Sequence, residues 1–367
     1  MAAINSAVGQ GKNALDTPAL IVDLDAMEES IARIARACRE HGVAWRPHTK
    51  GQKTPDIVRK EIEAGAIGVT CAKLGEAEVM ADAGIRDILI ANQIVGPAKI
   101  ARLMALLDHA DVIVAVDSTP NVAELAAAAA RYGKKLRVVI EVDIGMKRAG
   151  VAPGAPVLAL ADVIAGHPGL VFCGLMGWES HAVAIADPAE KERAVAAAID
   201  QLTGSAATCR SHGHQVAIVS CGGSGTFPYC ARQPGVTEIQ AGGAILSANY
   251  YRTQQHLDFP CALTVLATVT SRPTPSRIII DAGFKAMSTH AGLPVPMGIP
   301  ELRSLRVSAE HSTIELKEPS EVPRIGDRLE LIVGHSDSTI NLHEEIAAVR
   351  QGKVEAIWRI AARGKIR

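Results

Sequence analysis

The pentapeptide Arg46-Pro47-His48-Thr49-Lys50 follows the apolar run Val43-Ala44-Trp45 and puts a primary amine just past what reads as a β-strand. A lysine so placed can hold an aldehyde cofactor as a Schiff base, which suggests covalent amine chemistry. A lone lysine is more often a solvated surface group, so Lys50 gains weight only from polar residues gathered at equivalent places. The turn Ser220-Cys221-Gly222-Gly223-Ser224-Gly225-Thr226 can aim backbone N–H groups at an anion, with hydroxyls beside them. It suits a phosphate monoester, and Gln240-Ala241-Gly242-Gly243 closes the next apolar run in the same manner. His335 and Asp337, two residues apart, would point the same way on an extended segment and offer one nitrogen and one oxygen to a cation. Two protein ligands suit a weak, exchangeable, catalytic Mn²⁺, Mg²⁺ or Zn²⁺ better than a closed structural site.

These residues need a scaffold that brings strand ends together. Eight short apolar runs alternate with longer amphipathic stretches: Val43–His48, Ala66–Ala72, Asp87–Asn92, Asp111–Asp117, Leu136–Asp143, Val171–Trp178, Val216–Gly223 and Val236–Gly243. Eight βα units predict an α/β chain built as a (β/α)8 TIM-type barrel, whose active site lies where the strands end. The polar residues closing the runs are then His48 and Lys50, Lys73, Asn92 and Gln93, Asp117, Asp143 with Arg148, Trp178 to His181, Ser220 to Thr226, and Gln240 to Gly243. The intervening helices are expected over Thr54–Ala64, Leu74–Ala83, Pro97–Leu107, Thr119–Arg131, Ala155–Ala165 and Pro188–His212. Caps are expected at Thr54, at Asp117 with Ser118, and at Asp187, each just ahead of a proline. Pro18–Leu24 reads as a strand, and beyond about Tyr251 the apolar period shifts toward two, which predicts an all-β domain. Its strands are expected at Ala262–Thr270, Arg277–Ile280, Leu305–Ala309, Arg328–Val333, Ile346–Val349 and Val354–Ile360, with Ser288–Pro300 as an ordered loop. The organisation expected is thus a segment 1–24 joining the β domain, a barrel over 25–250 and a C-terminal β domain over 251–367.

Composition narrows the partners. With 38 basic and 39 acidic residues interspersed along 367, no broad field would draw nucleic acid or an anionic membrane. The start lacks a basic and apolar leader and no run approaches a membrane span, so a cytoplasmic protein with a small-molecule partner is expected. The seven cysteines show no CxxC pair, which argues against a disulfide framework or a thiolate zinc site; Cys71 and Cys221, near strand ends, have no evident paired base.

Taken together, Arg46-Pro47-His48-Thr49-Lys50 with Lys53, Gly68-Val69-Thr70-Cys71-Ala72-Lys73 with Glu76-Ala77-Glu78, and Val142-Asp143-Ile144-Gly145 with Arg148 and Gly150 resemble the D-threonine aldolase and D-serine dehydratase family. The likeness runs on through Ser220–Thr226 and Gly334-His335-Ser336-Asp337-Ser338-Thr339-Ile340-Asn341-Leu342-His343 to Trp358-Arg359. The family's members are fold-type III pyridoxal phosphate (PLP) enzymes with an alanine racemase-like barrel. The resemblance implies that Lys50 forms the internal aldimine and that Arg148 contacts the cofactor's phenolic oxygen. It also implies that Ser220, Gly222, Gly223, Ser224, Gly225, Thr226, Gln240, Gly242 and Gly243 hold the phosphate, and that His335 and Asp337 bind a divalent metal. Aspartate rather than cysteine at 337 sides with the aldolases and favours Mn²⁺. Three positions depart from the family pattern: Gln52 stands for His, Ala72 for Gln, and Trp178 for the tyrosine expected near the pyridine nitrogen. The implied reaction is retro-aldol cleavage of a D-configured β-hydroxy-α-amino acid to glycine and an aldehyde, carried out by a homodimer. His48 is a candidate base, an orienting group or ring support; a metal-bound hydroxide is equally a base, and His181 a polar stand-in or a capping histidine. Dehydration to a 2-oxo acid and ammonia, and cleavage of a 3-hydroxyaspartate to glycine and glyoxylate, are the rivals. The second would need an arginine such as Arg232, Arg252 or Arg303. A non-catalytic PLP carrier would need neither the β domain nor the metal pair, and a racemase would leave that pair without a role.

Overall fold

The computed structural model describes residues 7–367, so the first six residues of the expected segment 1–24 lie outside it. Strands are numbered in chain order: β1 (Ala19–Asp23), β2 (Ala44–Trp45), β3 (Val69–Cys71), β4 (Asp87–Gln93), β5 (Asp111–Val116), β6 (Leu136–Glu141), β7 (Leu170–Met176), β8 (Ile218–Cys221) and β9 (Glu238–Ile239). Beyond these lie β10 (Leu263–Thr274), β11 (Arg277–Ile280), β12 (Val295–Pro296), β13 (Leu302–Val307), β14 (Ser312–Leu316), β15 (Arg328–Ile332), β16 (Glu345–Arg350) and β17 (Lys353–Arg359). The chain forms two compact units, one of 32–50, 57–242 and 364–367, the other of the described residues up to Ile31, 51–56 and 243–363.

The first unit holds an eight-stranded sheet in the order β2-β9-β8-β7-β6-β5-β4-β3, parallel at every pairing. Its two ends meet: Ile67 N–H donates to the Trp45 carbonyl, Thr70 N–H to the Pro47 carbonyl, and His48 bridges Thr70 in parallel. The eight expected strands are therefore all present, closed into a parallel barrel. Parallel strands covered on both faces need apolar side chains on both, and Val112 to Val116 of β5 are all buried. Leu89, Ile113, Ala115, Val139, Met176 and Ile218 pack as one cluster across β4 to β8. The helices fall where the apolar period placed them, Ala155–Ala165 to the residue. Pro188–Ser211 is capped by the Asp187 carboxylate, which accepts from Glu190 N–H at 2.7 Å. Asp117 does not cap: its Oδ2 accepts from Gly150 N–H at 3.1 Å, and Ser118 is an N-cap without a side-chain bond. Thr54 likewise turns its hydroxyl back to the Gln52 carbonyl, at 2.7 Å.

β2 is short, and its position depends on an ion triad centred on buried Arg46. Arg46, 2% exposed, donates from Nη1 to Asp87 Oδ1 at 2.7 Å and from Nε to Glu238 Oε1 at 3.1 Å, so it ties the chain after β2 to the starts of β4 and β9. Trp45 Nε1 donates to the Ala241 carbonyl at 2.7 Å. Both sets of bonds sit just ahead of His48 and Lys50 and fix where that segment leaves the sheet.

The second unit is a sheet in which β1 lies between β10, antiparallel, and β16, parallel. The path runs β13-β14-β11-β10-β1-β16-β17, with β15 on β10 and β12 on β15. Ile21, Leu266, Ala347, Val349 and Val354 form its core with Ala7 and Leu15. Two differences from expectation stand out. Ser312–Leu316 is a strand, because its alternation of buried and half-buried residues pairs it with β11 and β13. Ser288–Pro300 is not wholly loop, since Val295 and Pro296 pair with Ile332 and Leu331. Among the described residues no helix is long and apolar enough to cross a membrane.

Candidate active site

Lys50 lies in a 3-10 turn, Thr49–Gly51, directly after the strand end that Arg46 fixes. Its Nζ stands 4.7 Å from the centroid of the Trp178 ring, and the Arg148 guanidinium stands 5.5 Å from the same ring. Three expected site residues from three strand ends thus meet over one indole. Arg148 also faces Glu141 at 3.8 Å, and Glu141 accepts from Gln93 Nε2 at 2.6 Å. Burial raises the Glu141 carboxyl above the usual carboxylate range, against the Gln93 bond and the Arg148 charge, which lower it. His48 Nδ1 accepts from Lys50 N–H at 3.4 Å. His181 packs on Gly145, where a Cβ would come within 2.6 Å of the imidazole, and the loop ahead of Arg148 is held by Asp143 Oδ1, which accepts from Gly145 and Lys147 N–H.

The glycine-rich turn has an arrangement that sequence did not anticipate. Gly222 and Gly223 N–H donate to Glu179 Oε2 and Oε1 at 3.4 and 3.2 Å, and the Thr226 hydroxyl makes a short bond to Oε1. Two of the amides expected to face a ligand anion therefore face a carboxylate of the chain itself. Ser220 Oγ accepts from Gln240 Nε2 at 2.9 Å, which joins the turn to the Gln240–Gly243 segment. Gly242 is obligatory, since a Cβ there would lie 2.4 and 2.6 Å from the His48 backbone O and N.

The barrel end fits a phosphorylated aldehyde on three counts. Lys50 supplies the amine and Trp178 an aromatic face. The Trp178 Nε1–H is buried without a partner, and it points at Gly223, where a Cβ would come within 2.7 Å. A buried indole N–H without an acceptor is costly and marks a place where a ligand oxygen belongs.

His335 and Asp337 lie in the second unit. The segment is not extended as expected: His335 is an N-cap in the β region, and Ser336–Thr339 forms a helical turn whose Thr339 N–H returns to the His335 carbonyl. What unites the pair is Tyr251. Its ring stacks on His335 with centroids 6.3 Å apart, and its hydroxyl donates to Asp337 Oδ1 at 3.0 Å. Burial, with Asp337 adding to it, pushes the Tyr251 hydroxyl well above its usual range, so it stays a donor. Ser338 bonds His335 Nδ1 at 3.1 Å and fixes the imidazole plane. Outer partners of this kind are what a metal-binding His and carboxylate require, so the pair fits a divalent ion. Tyr250 and His290 complete an aromatic surround, with centroids 4.9 and 6.2 Å from His335. Asp337 also lies against Gly51, the residue after Lys50, where a Cβ would come within 2.7 Å of Oδ1. Gly243 faces Tyr251 instead: a Cβ there would meet the phenol oxygen at 2.1 Å.

Among the described residues one trio has metal-ligand types within reach of one another: Glu179, Cys221 and Cys230, all buried. Burial pushes the Cys230 thiol up and Glu179 already accepts three hydrogen bonds, so the trio is a satisfied cluster with a protonated thiol rather than a metal site. Arg232 donates from Nε to the Pro228 carbonyl and Arg303 from Nη2 to that of Lys317.

Residues 22–249 match the family model of the alanine racemase N-terminal domain, and 262–349 match a serine dehydratase domain. A D-threonine aldolase from Arthrobacter sp. is 36% identical over 95% of this chain and 93% of its own. The chain belongs to the D-threonine aldolase family. A second member, the 3-hydroxy-D-aspartate aldolase of Paracoccus denitrificans (strain Pd 1222), is 34% identical over 97% of this chain and 94% of its own. The crystal structure of a D-threonine aldolase from Filomicrobium marinum superposes with a TM-score of 0.94, at 34% identity, over 98% of this chain and 99% of that one. Family membership accounts for the barrel and the β unit together. Sequence reasoning gave Glu179 no role of its own within Trp178–His181 and left out Glu141 and the Tyr250–Tyr251 pair. Glu179 sits inside Trp178-Glu179-Ser180-His181 at a strand end, and the tyrosines are two of only four in the chain; both were signals available beforehand.

Proposed function

We propose that the chain is a PLP- and divalent-metal-dependent lyase that cleaves a D-configured β-hydroxy-α-amino acid to glycine and an aldehyde. Its membership makes it an aldolase-like enzyme. The observation that carries the reading further is the convergence of Lys50 and Arg148 on the Trp178 ring beside the Ser220–Thr226 turn. Lys50, Arg148, Trp178, the turn and Gln240–Gly243 would hold the cofactor, which supplies an electron sink for the pair left on Cα when Cα–Cβ breaks. His335 and Asp337 would hold the metal, Mn²⁺ by preference over Mg²⁺ or Zn²⁺, which supplies Lewis acidity for the substrate hydroxyl. A metal-free form is known of a D-threo-3-hydroxyaspartate dehydratase variant in which one cysteine is replaced by alanine; that structure matches this chain with a TM-score of 0.85 at 26% identity.

The chain's own groups divide the remaining work. Lys50 Nζ would hold the aldehyde group of the cofactor. Trp178 would offer its face to the cofactor ring, beside Lys50 and Arg148. Arg148, kept in place by Glu141 and in turn by Gln93, presents cationic N–H donors to an anionic ring oxygen. His48, whose Nδ1 accepts from the Lys50 backbone, carries its neutral-form proton on Nε2, which suits an orienting donor better than a base. Tyr251 orients Asp337.

A second reading has a specific observation behind it. The 3-hydroxy-D-aspartate aldolase is nearly as similar as the D-threonine aldolase, so a substrate with a second carboxylate is the alternative within the same chemistry. Purified protein incubated with D-threonine and with D-3-hydroxyaspartate, with Mn²⁺ or with EDTA, tests both. Metal-dependent release of glycine with acetaldehyde or glyoxylate is expected, lost in Lys50→Ala and cut at least about a hundredfold in His335→Ala or Asp337→Ala. A 2-oxo acid with ammonia would replace cleavage by dehydration, and no Lys50-dependent visible band with PLP would remove the cofactor.

A further inference from the structure

The glycine-rich turn folds around an anion that the chain itself provides. Glu179 is wholly buried, and among the described residues no basic side chain pairs with it. Its two oxygens accept from Gly222 N–H, Gly223 N–H and the Thr226 hydroxyl, with the Cys230 thiol beside them. A carboxyl group buried in that position favours keeping these donors in place, because releasing one would leave a desolvated acceptor oxygen less satisfied. The Thr226 backbone N–H closes the turn on the Gly223 carbonyl at 3.1 Å. The turn is therefore braced from within the chain. The neighbouring residue completes the arrangement: Trp178 lies under Lys50 and Arg148 while its Nε1–H points at Gly223. One dipeptide step thus links the cofactor ring seat to the turn.

We propose that Glu179 is a positioning residue for the cofactor phosphate, which builds the Ser220–Thr226 turn into its binding conformation by occupying the Gly222 and Gly223 amides and the Thr226 hydroxyl. The proposal rests on the reading of that turn as the phosphate site. Ligand oxygens are then met by the outward side of a rigid loop and by the Trp178 N–H, not by the two inward amides. Preorganisation of this kind raises affinity by removing the ordering cost at binding. A carboxylate so near a phosphate could instead act as a repulsive element, and the two roles have opposite consequences for its removal.

The test is a titration of the full-length apoprotein, stripped with hydroxylamine, with PLP and separately with pyridoxal, which lacks the phosphate, while monitoring the visible band that Lys50 gives with the aldehyde. Glu179→Gln keeps the shape but sets an amide N–H against a turn N–H. It is expected to weaken PLP about tenfold or more and to change pyridoxal by less than about twofold. Glu179→Asp keeps the charge and should recover part of the PLP preference; if the Gln variant does not fold, Asp against wild type gives the same comparison. Unchanged or tighter PLP binding would overturn the proposal, as would equal losses for both aldehydes, which would show general damage. A wild-type protein that gives no band with either aldehyde would remove the cofactor reading and this inference with it, whereas a normal wild-type band with an indifferent Glu179→Gln removes this inference alone.

Discussion

At the scale of single residues, the barrel end sets charged groups in low dielectric and then constrains them. Glu141 is the clearest case. Its raised carboxyl pKa means that the folded protein holds the Glu141 proton more tightly than the unfolded chain does. The contribution to stability is then fully present below the unfolded value and is lost as pH rises through the higher folded value. Thermal unfolding of wild type and Glu141→Gln from about pH 4 to pH 8 should show wild type losing ground to the variant as pH rises through that window. Parallel curves would mean that the Gln93 bond and Arg148 cancel the cost of burial. The same residue steers Arg148, so the titration bears on cofactor electrostatics as well as on stability.

At the scale of elements, Lys50, the lysine proposed to hold the cofactor, depends on a strand of two residues. β2 makes only two register pairs, with Glu238 and Ile239, and is too short to fix its own exit. The Arg46 triad and the Trp45 indole do that in its stead. Arg46→Met would leave Glu238, 4% exposed at its side chain, without its cation. Loss of one partner of a buried ion pair costs about 3–5 kcal/mol, so urea unfolding should reveal a drop of that order together with weaker retention of PLP. A change below about 1 kcal/mol would show that the triad is dispensable and that the backbone bonds closing the barrel suffice.

At the scale of the whole molecule, the family resemblance implies a homodimer. The exposed apolar side chains Leu293, Val295 and Met297, around the short β12, give the β unit a surface that association would cover. Sedimentation equilibrium is expected to return twice 38.5 kDa for the wild type. Replacing Leu293 and Met297 by lysine together should shift the distribution toward monomer, and a wild-type monomer at micromolar concentration would refute the dimer.

The sequence by itself determined the barrel, since parallel strands buried on both faces need continuous apolar runs and eight such runs alternate with amphipathic helices. It also determined which residues stand at strand ends, and so Lys50, Arg148, Trp178 and the glycine turn, because chain order along a βα unit fixes which residues come after each strand. Only the tertiary structure decided their partners. That Gly222 and Gly223 turn to Glu179, that Arg46 spans Asp87 and Glu238, and that Tyr251 unites His335 with Asp337 all depend on side chains distant in sequence meeting through strand pairing. β14 and β12 escaped notice because their pairing, more than any local apolar signal, makes them strands, and the His335–Asp337 segment proved to be a helical turn because the Thr339 N–H returns to the His335 carbonyl. Periodicity reports which face of an element is buried; it carries no information on which polar groups will meet across the fold, and in this chain the chemistry lies in those meetings.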